Sequence, residues 1–247
     1  MKIDLSDKHI LVTGGTKGIG KAIVNKFLSV GAKVTATGTK NQEIKKLNKF
    51  NKNTNLHYLN LDFLDDNSID RFKTECDKLG GVDILVNNAG INIVSNFLET
   101  NDDQYECINK VNVRGPYKLC KYVLPYMQNK KEGRIINISS IWSVVSRESR
   151  SIYSTTKSAI LGMTKTLALE FASSNILINA VSPGFTLTEL TKKTNTFEEL
   201  KQIEKEIPLK KIAKPEEIAN IVVFLSSEAN GYITGQNIVI DGGYTIK

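Results

Sequence analysis

Three side chains in one stretch of the sequence could together protonate a carbonyl oxygen: Ser140, Tyr153 and Lys157. Tyr153 and Lys157 are four residues apart where apolar residues recur at helical spacing, so they share a helix face one turn apart. Ser140 follows the β-branched run at residues 135–138, a predicted buried strand, and open α/β sheets hold their chemistry at strand ends. A tyrosine hydroxyl can donate a proton, and a nearby ammonium group can lower its pKa.

The Tyr–Lys spacing alone is weak evidence, because it occurs twice more in this chain. The other pairs are Tyr117/Lys121 and Tyr126/Lys130. Only Tyr153 has a serine at a predicted strand end thirteen residues before it, namely Ser140. We therefore interpret the other two pairs as amphipathic helix surface.

A glycine-rich turn near the start of the chain predicts a dinucleotide site. Residues 9–13 predict a first buried strand, TGGTKGIG follows, and an apolar-periodic helix comes next. In such a turn the glycines permit a sharp bend, close approach to a pyrophosphate and tight helix packing, while the helix N-terminus attracts phosphate. The residues assigned to this contact are Gly14, Thr16, Lys17, Gly18, Ile19 and Gly20.

The end of the second predicted strand bears on the choice of cofactor. Enzymes that prefer NAD place an acid there for the ribose 2′-hydroxyl. This chain has Gly38, Thr39 and Lys40 instead, with no carboxylate before Glu43. With Lys17 on the same side, the pattern favours the extra phosphate of NADP, and NAD is the less favoured cofactor. The alternative is that Lys17 and Lys40 are surface lysines in contact with solvent and bind no phosphate.

Taken together, these elements resemble the short-chain dehydrogenase/reductase family over essentially all 247 residues. The resemblance is carried by TGxxxGxG, by NNAG at residues 87–90, by Asn112 in KVNVRG, and by Ser140 with YSTTKSA. It implies one α/β domain over residues 1–247, a Rossmann-type doubly wound parallel sheet of about seven strands with helices on both faces. It also implies a lid over the substrate at about residues 186–214.

The same resemblance implies hydride transfer between NADP(H) and a ketone or secondary alcohol. Tyr153 would be the proton donor, Lys157 would lower its pKa and bind the nicotinamide ribose, Ser140 would orient the carbonyl, and Asn112 would hold a water. Further cofactor contacts are expected at Asp62, Phe63, Asn88, Ala89, Gly90, Tyr153, Lys157, Pro183, Gly184 and Thr186. Two alternatives stay open: Asp62 could cap the following helix, and the asparagines could pin neighbouring strands.

Among family members the chain is most similar to 3-oxoacyl-carrier-protein reductases, in VDILVNNAG and NGYITGQNIVIDGG. The basic docking positions expected for a carrier protein are met by Lys130 and Lys131, but Ser174 stands at the second of them. A reductase of a sugar or other polar metabolite, for example in surface-glycan synthesis, is therefore an alternative. A non-catalytic cofactor-sensing regulator is another, although all four catalytic residues are present. The family also implies a homotetramer, or a dimer, packed through helices at residues 104–130 and 151–173.

Composition excludes several other functions. The net charge is +7 with a pI near 9.1, but the lysines are dispersed apart from those at residues 45–52, which gives little support to nucleic-acid binding. No apolar run is long enough for a membrane helix and no signal peptide is evident, so a cytoplasmic protein is expected. Three cysteines and two histidines without metal-ligand spacing predict free thiols and no metal site.

Overall fold

Within residues 3–247, which the computed structural model describes, seven parallel strands form one sheet in the order β3-β2-β1-β4-β5-β6-β7. The strands are β1 His9–Val12, β2 Lys33–Gly38, β3 Leu56–Asn60, β4 Ile84–Asn87, β5 Gly133–Ile138, β6 Ile176–Pro183 and β7 Asn237–Ile240. Ile10 of β1 lies opposite Val34 of β2 on one side and Ile84 of β4 on the other. The strand order reverses at β1, which opens a crevice at the carboxyl ends of β1 and β4.

Helices cover both faces of the sheet. They are α1 Gly18–Ser29, α2 Asn41–Phe50, α3 Asp66–Asp77, α4 Asp102–Asn109, α5 Gly115–Lys130, α6 Ser151–Phe171, α7 Glu189–Thr194, α8 Phe197–Glu206 and α9 Pro215–Ser226. Strands alternate with helices because a parallel connection must cross over the sheet.

The alternation of side chains along β1 shows how the sheet builds two cores. Ile10 and Val12 pack into a cluster with Phe27 of α1 and residues of α9. Leu11 faces the other way, into a cluster with Phe72 of α3 and residues of α5. The inner strands are thus buried on both faces, which explains their apolar runs in the sequence, whereas the edge strands β3 and β7 are only partly buried. The predicted fold class is confirmed.

One predicted element is wrong in detail. The family resemblance implies a helix over residues 104–130, but the chain forms α4, a π-helical turn at Lys110–Arg114 and then α5. A π turn adds one residue to a helical turn and is frequently found at functional sites. Here it contains Asn112.

The helices and acidic side chains of residues 3–247 bear on membrane and metal binding. None of their helices is both long and apolar enough to cross a membrane. Nowhere among them do three or more His, Cys, Asp or Glu side chains gather as metal ligands would.

Candidate active site

The end of β5 and the first turns of α6 bring Ser140, Tyr153 and Lys157 together. Lys157 Nζ donates to the carbonyl oxygen of Ile138 at 2.8 Å, and it lies 5.6 Å from the centroid of the Tyr153 ring. The backbone carbonyl of Lys157 accepts from Ser139 Oγ at 2.9 Å. These bonds fix the helix against the strand end, so the three predicted side chains share one site.

Ser140 is held by the turn that follows it. Its Oγ accepts from the backbone N–H of Trp142 at 3.3 Å, and its carbonyl accepts from Ser143 Oγ at 2.6 Å. A serine in this position caps the short 3₁₀ turn at Ile141–Ser143. The Ser140 hydroxyl also acts to lower the pKa of Tyr153, so the two side chains are close. The turn therefore positions Ser140 beside the phenol.

Asn112 is buried beside Lys157. Its Nδ2 donates to Ile91 O at 2.9 Å and to Thr156 Oγ1 at 3.1 Å, and its Oδ1 accepts from Ile91 N at 2.9 Å. A Cβ atom on Gly90 would meet both Asn112 Oδ1 and Lys157 Nζ at 3.4 Å. The amide thus fixes the loop after β4 close to the lysine, and its expected role in holding a water stays a prediction.

Burial controls the ionisation of the two central groups. It lowers the pKa of Lys157 to about 8, because a buried site disfavours the ammonium form. Burial also raises the pKa of Tyr153, and the hydrogen bond from Ser140 and the charge of Arg150 offset only part of that rise. The pKa of Tyr153 is therefore raised overall, because burial outweighs the opposing effects, and the expectation that Lys157 lowers it stays a prediction.

The glycine turn before α1 fits a dinucleotide phosphate. Gly14 and Gly18 have φ of 62° and 57°, which side chains rarely adopt. A Cβ on Gly20 would meet the carbonyl oxygen of Gly14 at 2.2 Å. Lys17 at the N-cap makes no side-chain capping bond, and the first turn contains no acid. The N–H groups at this helix start are therefore available to an anion.

The NNAG segment pins this turn to the sheet. Asn88 Nδ2 donates to Thr13 O at 2.8 Å and Gly14 O at 3.3 Å, and the N–H groups of Asn88 and Ala89 both donate to Thr13 Oγ1 at 2.9 Å. Asn87 Nδ2 donates to Asn137 Oδ1 at 2.8 Å across β4 and β5. The asparagines therefore join adjacent strands, while the loop backbone through Gly90 borders the crevice.

The end of β2 carries the side chains that would meet an adenosine ribose. Thr39 and Lys17 are exposed, and Lys40 is 3.7 Å from Glu43 in an exposed ion pair. Asn60 Nδ2 donates to Thr39 O at 2.8 Å and so fixes the strand end. The one nearby acid is thus partnered by a lysine, which leaves this corner without a free carboxylate among residues 38–43.

The structure separates the expected roles of Asp62 and Phe63. Asp62 Oδ1 accepts from Leu64 N at 3.0 Å, whereas the cap of α3 is Asp65. The alternative that Asp62 caps the helix is therefore wrong, and its adenine contact stays a prediction. The Phe63 ring is buried against Gly115, so only its backbone could face a cofactor.

The segment after β6 reaches back to the glycine turn. Gly184 N donates to Ile240 O at 2.8 Å, and Thr186 Oγ1 donates to Gly184 O at 3.1 Å. A Cβ on Gly18 would lie 3.5 Å from the Thr188 methyl group. Pro183, Gly184 and Thr186 therefore lie along the crevice, and α7 and α8 form the segment predicted to be a lid.

The predicted docking lysines lie at the opposite edge of the sheet. Lys130 and Lys131 immediately precede β5, and Ser174 precedes β6, whereas Ser140 follows β5. Lys130 Nζ donates to Asp83 Oδ1 at 2.5 Å and is 3.9 Å from Glu132. Lys131 is exposed, so it is the freer charge of the two.

Two features of the site were not predicted from the sequence. The rings of Trp142, Phe185 and Tyr244 contact edge to face, with centroids 5.3–6.3 Å apart, at the carboxyl edge beside Ser140. At the N-cap of α6, the buried Nε and Nη1 atoms of Arg150 have no hydrogen-bond partner among residues 3–247. In the sequence, the feature that could have identified Arg150 is its position three residues before Tyr153.

Sequence comparison places these residues among known proteins. A family model described as "Enoyl-(Acyl carrier protein) reductase" matches residues 14–245. The 3-oxoacyl-[acyl-carrier-protein] reductase of Buchnera aphidicola subsp. Schizaphis graminum is 40% identical, over 98% of this chain and 98% of that protein. The protein of the same description from Aquifex aeolicus is 41% identical, over 98% and 99%.

Solved structures also match this chain over nearly its whole length. ElxO with NADP bound has a TM-score of 0.90 at 34% identity, over 97% of this chain and 99% of that one. A gluconate 5-dehydrogenase from Burkholderia cenocepacia, in complex with NADP and tartrate, has a TM-score of 0.92 at 25% identity, over 100% and 98%.

Proposed function

The chain belongs to the short-chain dehydrogenase/reductase family, and on that premise we propose that it is an NADP(H)-dependent enzyme that interconverts a ketone and a secondary alcohol. The observation that carries the proposal is the assembly of Asn112, Ser140, Tyr153 and Lys157 beside a glycine turn with free N–H groups. Relatives described as reductases and neighbours described with NADP support it.

The chain's own residues account for the proton transfer. NADPH, when bound, supplies the hydride. As charge develops on the carbonyl oxygen, Tyr153 donates its proton to that oxygen, and Ser140 donates a hydrogen bond that orients the substrate. Ser140 acts on the pKa of Tyr153, so the two hydroxyls are close enough to meet one carbonyl oxygen. Substrates would therefore enter with the carbonyl oxygen between them.

Lys157 contributes position and charge. The bond to Ile138 O holds its Nζ between Asn112 and the Tyr153 ring, where the ammonium group favours negative charge on the phenol during transfer. It would also bind the nicotinamide ribose. Asn112, next to it, would hold the water that returns a proton from solvent.

For the substrate class we propose a 3-oxoacyl compound, presented as a thioester and carried by an acyl carrier protein. The support is the description of relatives at 40–41% identity, which favours this class over the sugar alternative. Of the two docking lysines, both at the amino edge of the sheet, Lys130 is already paired with Asp83. Lys131 would carry most of the attraction.

The test measures NADPH oxidation with an acyl-carrier thioester, a small 3-oxo thioester and a simple ketone. We expect activity on all three, with the carrier substrate favoured at low salt and weakened by added salt, which screens exposed charges. Lys131→Glu should lower activity on the carrier substrate alone. Lys121→Glu is the matched control, since it makes the same change of charge at an exposed lysine elsewhere, on α5. Equal use of the carrier and the small thioester would overturn the carrier assignment, and no turnover would overturn the oxidoreductase proposal.

Assembly and location complete the proposal. We propose a homotetramer, supported by large apolar side chains that are exposed in the single chain, including Leu98 at 95% and Leu169 at 82%. We place the enzyme in the cytoplasm. The free thiols of Cys76, Cys107 and Cys120 fit a reducing compartment.

A further inference from the structure

Three aromatic rings form a cluster of their own at the carboxyl edge of the sheet. Trp142, Phe185 and Tyr244 contact one another edge to face. Each comes from the segment that follows a different strand, namely β5, β6 and β7. All three rings are only partly buried, and within residues 3–247 neither core cluster includes them. The cluster, which we call the aromatic wall, thus leaves apolar ring surface open to solvent.

The turn that holds Ser140 borders the aromatic wall on one side. Trp142 N donates to Ser140 Oγ at 3.3 Å, so the indole branches from the same turn as the serine that orients the carbonyl. Among residues 3–247 the indole N–H has no acceptor, and it is not fully buried, so it stays in contact with solvent. Phe185 directly follows Gly184, which lies along the crevice. The wall therefore continues the crevice beyond Ser140.

The predicted lid borders the aromatic wall on the other side. Near the end of the lid, Ala213 N donates to Phe185 O at 3.1 Å. Earlier in the lid, Leu209 N donates to Gly242 O at 3.2 Å, two residues before Tyr244. The wall thus lies between the catalytic turn and the base of the lid. A substrate held between those two segments would lie against the rings.

We propose that the aromatic wall binds the alkyl group attached to the reacting ketone, so that the enzyme selects 3-oxoacyl substrates by chain length. Alkyl carbons leave water for the rings without losing hydrogen bonds, whereas the hydroxyl groups of a sugar would lose theirs. Two added methylenes should raise kcat/KM about 4- to 15-fold, depending on whether one side of the chain or both sides are covered. Trp142 has the largest ring and is the nearest in sequence to Ser140, so it should contribute most. The inference rests on the proposed ketone reduction.

The experiment compares two ketones that differ only in alkyl length, the 3-oxobutanoyl and 3-oxohexanoyl thioesters of N-acetylcysteamine. In the wild type, kcat/KM should be about 4- to 15-fold higher for the 3-oxohexanoyl thioester. Trp142→Ala should bring that ratio close to unity, and Trp142→Phe should keep part of it, because a smaller ring covers less of the chain. Phe50→Ala is the control: it removes a ring that is 74% exposed at the end of α2 and should leave the ratio unchanged.

The ratio separates substrate binding from a structural role of Trp142. Equal losses on both thioesters in Trp142→Ala would show that the indole only supports the Ser140 turn, and would overturn the inference. A change of the ratio in Phe50→Ala as large as in Trp142→Ala would also overturn it. If the Trp142 variants fail to fold, the wild type still decides, because equal kcat/KM for the two thioesters would reject the wall as a binding surface.

Binding provides a readout that does not require turnover. Trp142 is the single tryptophan of the chain, so its fluorescence reports on the aromatic wall. The NADP complex is titrated with the butanoyl and hexanoyl thioesters of N-acetylcysteamine, which have no 3-oxo group to reduce. The hexanoyl thioester should bind more tightly, and Tyr244→Ala should diminish the difference. Equal affinities, or no fluorescence change with either thioester, would reject the site. Tighter hexanoyl binding without reduction of either ketone would instead reject the proposed function.

Discussion

Lys157 Nζ donates to the carbonyl oxygen of Ile138 at 2.8 Å, so a buried ammonium group ties α6 to the end of β5. The bond positions the lysine for chemistry, but the same burial lowers its pKa from 10.5 to about 8. A shift of that size corresponds to roughly 3 kcal/mol of unfavourable burial of the charge. Burial of the Lys157 ammonium group therefore positions it in the site but destabilises the folded protein.

Replacement of Lys157 by Met should stabilise the free protein at pH 7. The folded lysine has a lowered pKa, so between about pH 8 and 10.5 the unfolded chain binds the extra proton and wild-type stability rises with pH. Below about pH 8 the full cost is present, and the methionine removes it. The methionine also loses the hydrogen bond to Ile138 O, so we expect the free energy of unfolding to rise by about 1–2 kcal/mol at pH 7. This gain should shrink toward pH 10.

Urea unfolding of the free protein at both pH values measures this gain. Lys121→Met is the control, because Lys121 is exposed on α5 and should have little effect at either pH. Destabilisation by Lys157→Met of the same size at pH 7 and pH 10 would contradict the assignment of a buried charge.

Activity should fall at alkaline pH, as the ammonium group of Lys157 loses its proton. In the free enzyme Lys157 is protonated below about pH 8 and neutral above it, so kcat/KM for the ketone should fall as pH rises through that value. The measurement is the pH profile of kcat/KM at limiting ketone. A profile that stays level to pH 10 would show that the ammonium charge is not needed.

Tyr153→Phe should remove the proton donor and keep the ring. We expect kcat to fall about 10²- to 10⁴-fold while NADPH affinity stays within a few-fold, the signature of a transition-state loss. Tyr117→Phe is the matched control, since Tyr117 has the same spacing to a lysine but is 54% exposed on α5. Nearly normal kcat in Tyr153→Phe would remove it from the acid role.

Much of this architecture could be predicted from the sequence because it depends on local patterns. The apolar runs of β1 and β5, the glycine turn at Gly14 and the spacing of Tyr153 and Lys157 each have a local cause. The π turn at Asn112 could not be predicted, because no residue type in KVNVR marks the extra residue and Asn112 is held by a tertiary contact with Thr156 of α6.

The pKa of Tyr153 and the isolation of Arg150 also required coordinates. Whether a charge or burial dominates a pKa depends on distances that sequence spacing does not give. Among residues 3–247, the lack of a hydrogen-bond partner for Arg150 Nε and Nη1 likewise depends on where Glu148 lies in the folded chain. The sequence could predict the residue types of the site but not the balance of forces on them.

Assembly should depend on the exposed face of α6. Leu169→Glu places a charge on a side chain that is 82% exposed in the single chain, and burial of that charge in an interface would be unfavourable. We expect light scattering at micromolar concentration to show a tetramer for the wild type and a smaller species for the variant. Leu190→Glu, 70% exposed on α7 and outside the predicted interface, should remain tetrameric. A wild-type monomer would reject the assembly.

Cofactor preference should depend on Thr39 and Lys17. Thr39 stands at the end of β2 where NAD enzymes carry an acid, and Lys17 is exposed at the turn before α1. Thr39→Asp would repel the 2′-phosphate and accept from a ribose hydroxyl, so the ratio of kcat/KM for NADPH to that for NADH should fall about 10- to 100-fold. Lys17→Gln should lower the ratio through NADPH alone, because it removes attraction without supplying an acceptor for NADH.

Thr54→Asp, which adds the same charge in the exposed segment before β3, is the control and should leave the ratio unchanged. Wild-type efficiency with NADH equal to that with NADPH would reject the assignment of both residues.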